Sequence, residues 1–295
     1  MSGSEPASLL EPDFGRLRHE WGGTSLQCVE RSRFDSFGPG ASQVISRGLT
    51  LAKRAKGQSL AWIKLRLGPD VVVFDGVRLP APKLRPCGTD FADDALWVNS
   101  GRREAQRLIS LGLTPDSAVL DLGCGPGRLA TGLLFQMPSL RRYEGLDVVP
   151  RSIAWCRRNI EREHQSFHFS RSDAPNERYN PNGRGPVALP FGDSDFDFAY
   201  LHSIFTHMRA NDVAGYLREL RRVLADDGVL FFTAFAEEGV LDEEVNPDGY
   251  VREWQGALHC VRFSRAFVER MCTEAGFGIV SAQPETYGQT AFVAR

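Results

Sequence analysis

The sequence predicts a doubly wound α/β fold, a mostly parallel sheet with helices on both faces, preceded by an N-terminal extension. Two observations carry that expectation. From Trp97 to the end of the chain, short apolar runs alternate with amphipathic stretches, the rhythm of parallel strands joined by crossover helices. One of these runs, Val119 to Leu122, leads directly into Gly123-Cys124-Gly125-Pro126-Gly127, a strand entering a tight turn before a helix. The composition agrees: 42% hydrophobic and 24% charged residues in a chain of 295 is the make-up of an ordinary globular protein with a sizeable core. In such sheets ligands sit beyond the carboxyl ends of the strands.

Residues 1–95 read as an accessory region and residues 96–295 as the main domain. Up to about Gly40 the chain is rich in Gly, Ser and charge, an arm that is either ordered or disordered. Short helices are expected over residues 41–67, interrupted by Gly48 and Gly57. Val71–Phe74 and Val77–Leu79 read as two extended pieces about an Asp75-Gly76 turn. Pro80, Pro82 and Pro86 mark a linker. In the main domain, helices are expected over Gly101–Leu113, Arg128–Gln136, Arg151–Arg162, Val213–Leu224 and Ser264–Ala275. Strands are expected over Ser117–Leu122, Tyr143–Val148, Gln165–Ser170, Phe196–Leu201, Gly228–Phe235, Gly278–Ala282 and Thr290–Ala294.

Several function classes are disfavoured. A net charge of −2 and a pI near 6.3 give no global reason to bind nucleic acid. The first residues lack a basic start and an apolar core, so no signal peptide is expected. No apolar run approaches the roughly 20 residues a membrane span needs. Cysteines 28, 87, 124, 156, 260 and 272 are scattered without a Cys-x-x-Cys pair, which argues against a disulfide framework or a structural metal site. A reducing cytoplasm is the expected compartment.

The glycine turn alone is compatible with a sharp strand-to-helix connection and no ligand. Two acids raise its meaning. Asp121 stands just ahead of the glycines, where a carboxylate can face a cationic ligand. Asp147 stands at the end of the next strand, where it can accept hydrogen bonds from two ribose hydroxyls. The run Asp121-Leu122-Gly123-Cys124-Gly125-Pro126-Gly127 resembles the first motif of class I S-adenosylmethionine-dependent methyltransferases, and further matches follow in order over about residues 97–295.

That resemblance implies a seven-stranded Rossmann-like sheet and S-adenosylmethionine as cofactor. It implies a cofactor site of Asp121, Gly123, Cys124, Gly125 and Gly127 from the loop, Asp147 and Val148 for the ribose, Asp173 and Ala174 for the adenine, and Leu201 and His202 beyond strand four. A dinucleotide-binding alternative fits less well. Its third glycine falls one position later, and an acid ahead of the loop is unfavourable for a pyrophosphate.

Methyl transfer to an alcohol calls for removal of a proton. The stretch from Tyr200 to Met208 offers His207 as base and His202 as a second candidate. Both have alternative readings: His207 as a capping or packing residue, and His202 as pocket lining. Asp195 and Asp197 read as ordinary loop and strand-end carboxylates. Glu237 to Phe263 is an insertion that reads as a substrate lid or a surface excursion, with His259 a secondary base candidate. Arg47, Lys53, Arg54, Lys56, Lys64 and Arg66 form a basic segment. It reads first as a solvated face and second as a surface for a phosphate-bearing substrate or a membrane.

The string Ser203-Ile204-Phe205-Thr206-His207 resembles bacterial methyltransferases of glycan and secondary-metabolite pathways. The expected acceptor is therefore an oxygen of a small molecule or sugar. A lipid, quinone or nitrogen acceptor and a non-catalytic S-adenosylmethionine-binding role are the alternatives.

Overall fold

The computed structural model describes residues 70–85, 89–251 and 253–295. The short helices expected over 41–67, with the basic segment they carry, lie outside the described residues.

Strands β1 (Val71–Phe74) and β2 (Val77–Pro80) form the expected antiparallel hairpin, turning through Asp75 and Gly76, both at positive φ. It is bonded to the rest of the chain: Trp155 Nε1 donates to the Asp70 carbonyl at 2.8 Å. The buried Arg85 donates to the carbonyls of Pro80 and Phe91 and pairs with Asp94 at the start of α1 (Asp94–Ser110).

That helix begins seven residues before the expected Gly101. The Asp93 side chain caps it by accepting the Leu96 N–H at 2.7 Å. The expectation failed because Gly101, read from sequence as a helix start, is a contact residue inside the helix. A Cβ there would lie 2.4 Å from the Arg128 carbonyl oxygen, and one on Gly132 would lie 1.9 Å from the Gly101 oxygen. Paired glycines thus let α1 touch α2 (Arg128–Gln136) backbone to backbone.

The remaining strands are β3 (Ala118–Leu122), β4 (Arg142–Asp147), β5 (Phe167–Arg171), β6 (Phe196–Leu201), β7 (Leu224–Glu237), β8 (Glu243–Val245), β9 (Val261–Ser264), β10 (Ile279–Pro284) and β11 (Thr290–Ala294). Seven lie side by side in the order β10-β11-β7-β6-β3-β4-β5. Strands β3 to β7 are parallel, and β11 and β10 are antiparallel additions at one edge.

The expected seven strands are therefore present, but the sheet has nine. β9 pairs in parallel with the end of β7, and β8 pairs antiparallel with β9, so both legs of the Glu237–Phe263 insertion end as sheet. The chain winds outward from β3 to β5, then restarts at β6 on the other side of β3. The crevice between β3 and β6 is the topological switch point where this architecture binds ligands.

Both faces are covered, as alternation along β3 requires. Leu120 and Leu122 pack with Val213, Leu217 and Leu220 of α4 (Ala210–Val223) and with Val268 and Met271 of α5 (Arg265–Glu274). Val119 points the other way, toward Ala105 and Leu108 of α1, Leu129 and Leu133 of α2, and Ile153 and Cys156 of α3 (Pro150–Cys156). A π-helical turn, Arg157–Glu161, extends α3. No helix among the described residues is long and apolar enough to cross a membrane.

Candidate cofactor and active site

Beyond the carboxyl ends of β3, β4 and β6 lies a cavity of about 440 Å³. Asp121, Gly123, Cys124, Asp147, Val148, Ala174, His202 and His207 all line it, so eight of the residues singled out from sequence meet in one place.

The loop after β3 is shaped by its glycines. Gly123, Gly125 and Gly127 have φ of +80°, +52° and +83°, a region that residues with a Cβ avoid. The Gly123 N–H donates to the Leu146 carbonyl at 2.7 Å. Two of these glycines also make room for protein. A Cβ on Gly123 would lie 1.9 Å from Ile204 Cδ1, and one on Gly127 2.8 Å from Ile160 Cδ1. Gly127 thus seats the loop on the turn after α3 and does not line the cavity.

Asp147 organises the loop as well as lining the cavity. Its Oδ2 accepts the Gly125 N–H at 2.8 Å and its Oδ1 the Val149 N–H at 2.7 Å. Each oxygen keeps a lone pair for a further donor. Asp121 is buried and accepts from Tyr143 Oη at 2.5 Å. Burial pushes its carboxyl up to about 7, against the opposing effect of the Tyr143 hydrogen bond.

Not every candidate faces the cavity. Leu201 is fully buried in the core. Asp173 is exposed and turned to its own surroundings, bonded to Arg171 at 3.2 Å and to the Arg184 N–H at 3.3 Å, while its neighbours Ser172 and Ala174 line the cavity. Asp195 accepts the Gly192 N–H and Asp197 the Ala118 N–H, ordinary roles at a loop and a strand end.

The structure adds residues that sequence reasoning missed. Glu104 of α1, 6% exposed, pairs with Arg128 at 2.6 Å, and burial raises its carboxyl pKa. Trp97 Nε1 and Tyr200 Oη are buried with no hydrogen-bond partner among the described residues, and both residues line the cavity. Orphaned donors of this kind are uncommon, because an unmade buried hydrogen bond costs about 1–3 kcal/mol. No sequence signal marks Trp97, which lies outside the helix expected from periodicity. Tyr200 was legible only as part of the strand-four end.

The two histidines are held in opposite neutral forms. Arg128 Nη2, which can only donate, lies 3.2 Å from His202 Nδ1, so the His202 proton sits on Nε2. Burial, helped by Arg128 and Arg107, holds His202 well below its ordinary pKa. His207 lies in a 3₁₀ turn after β6, Phe205–His207. Its Nδ1 is 2.9 Å from the Leu258 carbonyl, which can only accept, so here the proton is on Nδ1 and the lone pair on Nε2. Burial lowers its pKa to about 4. Tyr179 meets the ring edge-on, and Asn176 Nδ2 donates to the His207 carbonyl at 2.9 Å. His259, the secondary base candidate, is itself engaged: its Nδ1 accepts the Gln255 N–H at 3.0 Å.

A family model described as a methyltransferase domain matches residues 120–232, from inside β3 to the middle of β7. Residues 120–232 form a methyltransferase domain. The cavity lies at its heart, and S-adenosylmethionine is the cofactor of this domain.

Solved structures share the fold. The PH0226 protein of Pyrococcus horikoshii OT3 is 18% identical with a TM-score of 0.50, over 72% of this chain and 96% of that one. A chain of the Haloferax volcanii complex containing the Trm112 methyltransferase activator is 17% identical with a TM-score of 0.50, over 66% and 89%. An S-adenosylmethionine-dependent methyltransferase of Aquifex aeolicus is 15% identical with a TM-score of 0.47, over 70% and 94%.

The residues present fit this cofactor, whose amino-acid end carries an ammonium and a carboxylate. The methyltransferase domain and the helix before it bring buried acids, Asp121 and Glu104, beside the orphaned donors Trp97 Nε1 and Tyr200 Oη. Acids suit the ammonium and donors the carboxylate, while the remaining lone pairs of Asp147 suit a diol.

Proposed function

We propose that the protein transfers a methyl group from S-adenosylmethionine to a hydroxyl oxygen of an uncharged small molecule or sugar, with His207 as general base. The single observation that carries this reading is the state of His207. Its Nδ1 is committed to the Leu258 carbonyl, and burial keeps the ring unprotonated at neutral pH. His207 lines the cavity that holds the loop acids, and its Nδ1–H form carries the lone pair on Nε2.

Asp147 holds the ribose, and Asp121 with Glu104 holds the ammonium. Bound there, the cofactor supplies a methyl group on a sulfonium leaving group. The protein's part is to align the acceptor, exclude water and take one proton. His207 Nε2 accepts that proton as the acceptor hydroxyl becomes an ether oxygen. The imidazolium that results is disfavoured by burial and gives its proton back to water.

The charged residues lining the cavity are Lys83, Arg85, Glu104, Asp121, Arg128 and Asp147. The lining nearest His207 in the chain or in contact with it, Asn176, Tyr179, Ser203, Ile204 and Met208, is neutral, part polar and part apolar. A neutral wall favours a neutral acceptor, since a buried unpaired charge is costly.

The test is a screen of acceptor compounds with labelled S-adenosylmethionine, reading the methylated atom by mass spectrometry. Methylation of hydroxyls, lost in His207→Ala, supports the reading. Methylation confined to nitrogen or carbon overturns it.

A further inference from the structure

We propose that Asn246 and Leu258 are positioning residues: Asn246 pins the turn 256–260 so that the Leu258 carbonyl holds His207 in its Nδ1–H form. The functional meaning of this clamp rests on the reading of His207 as a base, although the geometry does not.

Asn246 follows directly on β8 and fastens both ends of the turn. Its N–H donates to the Cys260 carbonyl at 2.7 Å, its Oδ1 accepts the Cys260 N–H at 2.9 Å, and its Nδ2 donates to the Gly256 carbonyl at 2.8 Å. The residue sits at φ +50°, a left-handed conformation that asparagine tolerates better than most. Between the two fastened ends lies Leu258, 2% exposed and at φ +43°. Leucine has no local preference for that conformation, which persists only where its surroundings impose it. What the imposed conformation delivers is a carbonyl 2.9 Å from His207 Nδ1. The insertion thereby determines which ring nitrogen of His207 carries the proton.

Two segments present charged or titratable groups to this ring. Arg178 and Tyr179 come from the loop after β5, and His259 from the turn itself. The Arg178 charge disfavours protonation of His207, adding to the larger effect of burial; His259 acts both ways, its ring charge against protonation and its backbone hydrogen bond for it. Release of the turn exposes the ring to water and removes the dominant cause of its low pKa.

The experiment uses ¹⁵N-histidine NMR of the full chain between pH 3 and 8, with His207→Ala assigning the resonance. In the wild type, His207 is expected wholly in the Nδ1–H form at pH 7 and to protonate near 4. Asn246→Gly keeps the backbone conformation and removes both side-chain bonds. It should bring in the Nε2–H form and move the midpoint up toward 6.5, the ordinary histidine value. Asn246→Asp keeps the acceptor for Cys260 and loses the donor to Gly256, so its midpoint should fall between the two; it decides the matter if the glycine variant does not fold.

Calorimetry with S-adenosylhomocysteine should give unchanged affinity in both variants. An unaltered tautomer and midpoint in the folded variants overturns the proposal whether or not His207 is a base. Hydroxyl methylation that survives His207→Ala would instead overturn the functional reading and leave the clamp standing.

Discussion

At the β3–β4 end of the cavity, Asp121, Gly123, Cys124, Asp147 and Val148 belong to one strand–helix–strand unit. At the β6 end, His207 takes its orientation from Asn176 and Leu258, 31 and 51 residues away in the chain. The first end is set by backbone conformation that glycine allows, the second by side chains and carbonyls that only the folded chain brings together. Damage should therefore read out differently: at the β3–β4 end as lost cofactor affinity, at the β6 end as lost turnover.

The largest expected effect lies at the β6 end. His207→Ala should lower hydroxyl methylation by roughly 10²–10⁴-fold with cofactor affinity almost unchanged, as removal of a general base does. The acid limb of the wild-type profile has a definite sign. His207 is active when neutral, so turnover falls only as pH drops through about 4, and that limb should vanish in the variant. A variant weakened in cofactor binding instead would break the comparison.

Asp147→Ala is the counterpart at the other end. It removes an ionised acceptor, expected to cost about 1.5–3 kcal/mol of S-adenosylhomocysteine affinity by calorimetry. Because Asp147 also holds the Gly125 and Val149 N–H groups, the variant should unfold at lower denaturant as well. Unchanged affinity in a folded variant would remove Asp147 from the site.

Gly123 is where the two ends touch, through Ile204. Gly123→Ala should cost about 1–3 kcal/mol of stability from overpacking and an unfavourable φ, measured by denaturant unfolding. Ile204→Ala in the same chain should recover the packing part only. Full recovery would show that φ +80° is not what this position requires.

Asp121 gives a pH signature at the β3–β4 end. Burial raises its pKa to about 7 in the free protein, so below that pH a proton must leave before the carboxylate can face an ammonium. Affinity for S-adenosylhomocysteine should be greatest above pH 7 and fall by up to about tenfold per unit below it. In Asp121→Asn the slope should shrink, and a flat wild-type profile from pH 5 to 8 would exclude this role.

Asp173→Ala should do least. Its carboxylate is exposed and bonded to its own loop, and such surface pairs contribute little. A large loss of cofactor affinity would mean that the side chain turns inward when ligand binds.

What the sequence made legible follows the same division. The run from Asp121 to Gly127 and the acid at the end of β4 are a local pattern, readable because their geometry is made by consecutive residues. Asp173 matched the pattern by position, but position does not specify where a side chain points. Trp97 lies before Gly101, which periodicity makes a helix start although it serves a contact with Gly132 that no local pattern reveals; Glu104 lies inside the expected helix, where nothing in the sequence marks a charged residue as buried. The Leu258 carbonyl was out of reach for a deeper reason: every residue has one, and only its φ of +43° sets this one apart. The extension of the sheet by β8 and β9 escaped in the same way, since Glu243–Val245 and Val261–Ser264 are too short to stand out from a polar insertion.

The glycine pair between α1 and α2 works as a gauge for the width of the cavity. Trp97 and Glu104 lie about one helical turn on either side of Gly101, and Arg128 one turn before Gly132, so all three ride on the separation of two bare backbones. A single methyl group on either glycine would wedge the helices apart at their point of closest approach. The Glu104–Arg128 pair and the Arg128–His202 contact would then stretch together, although neither glycine lines the cavity. The dimensions of this end of the cavity are thus recorded in two positions where the side chain is a hydrogen atom.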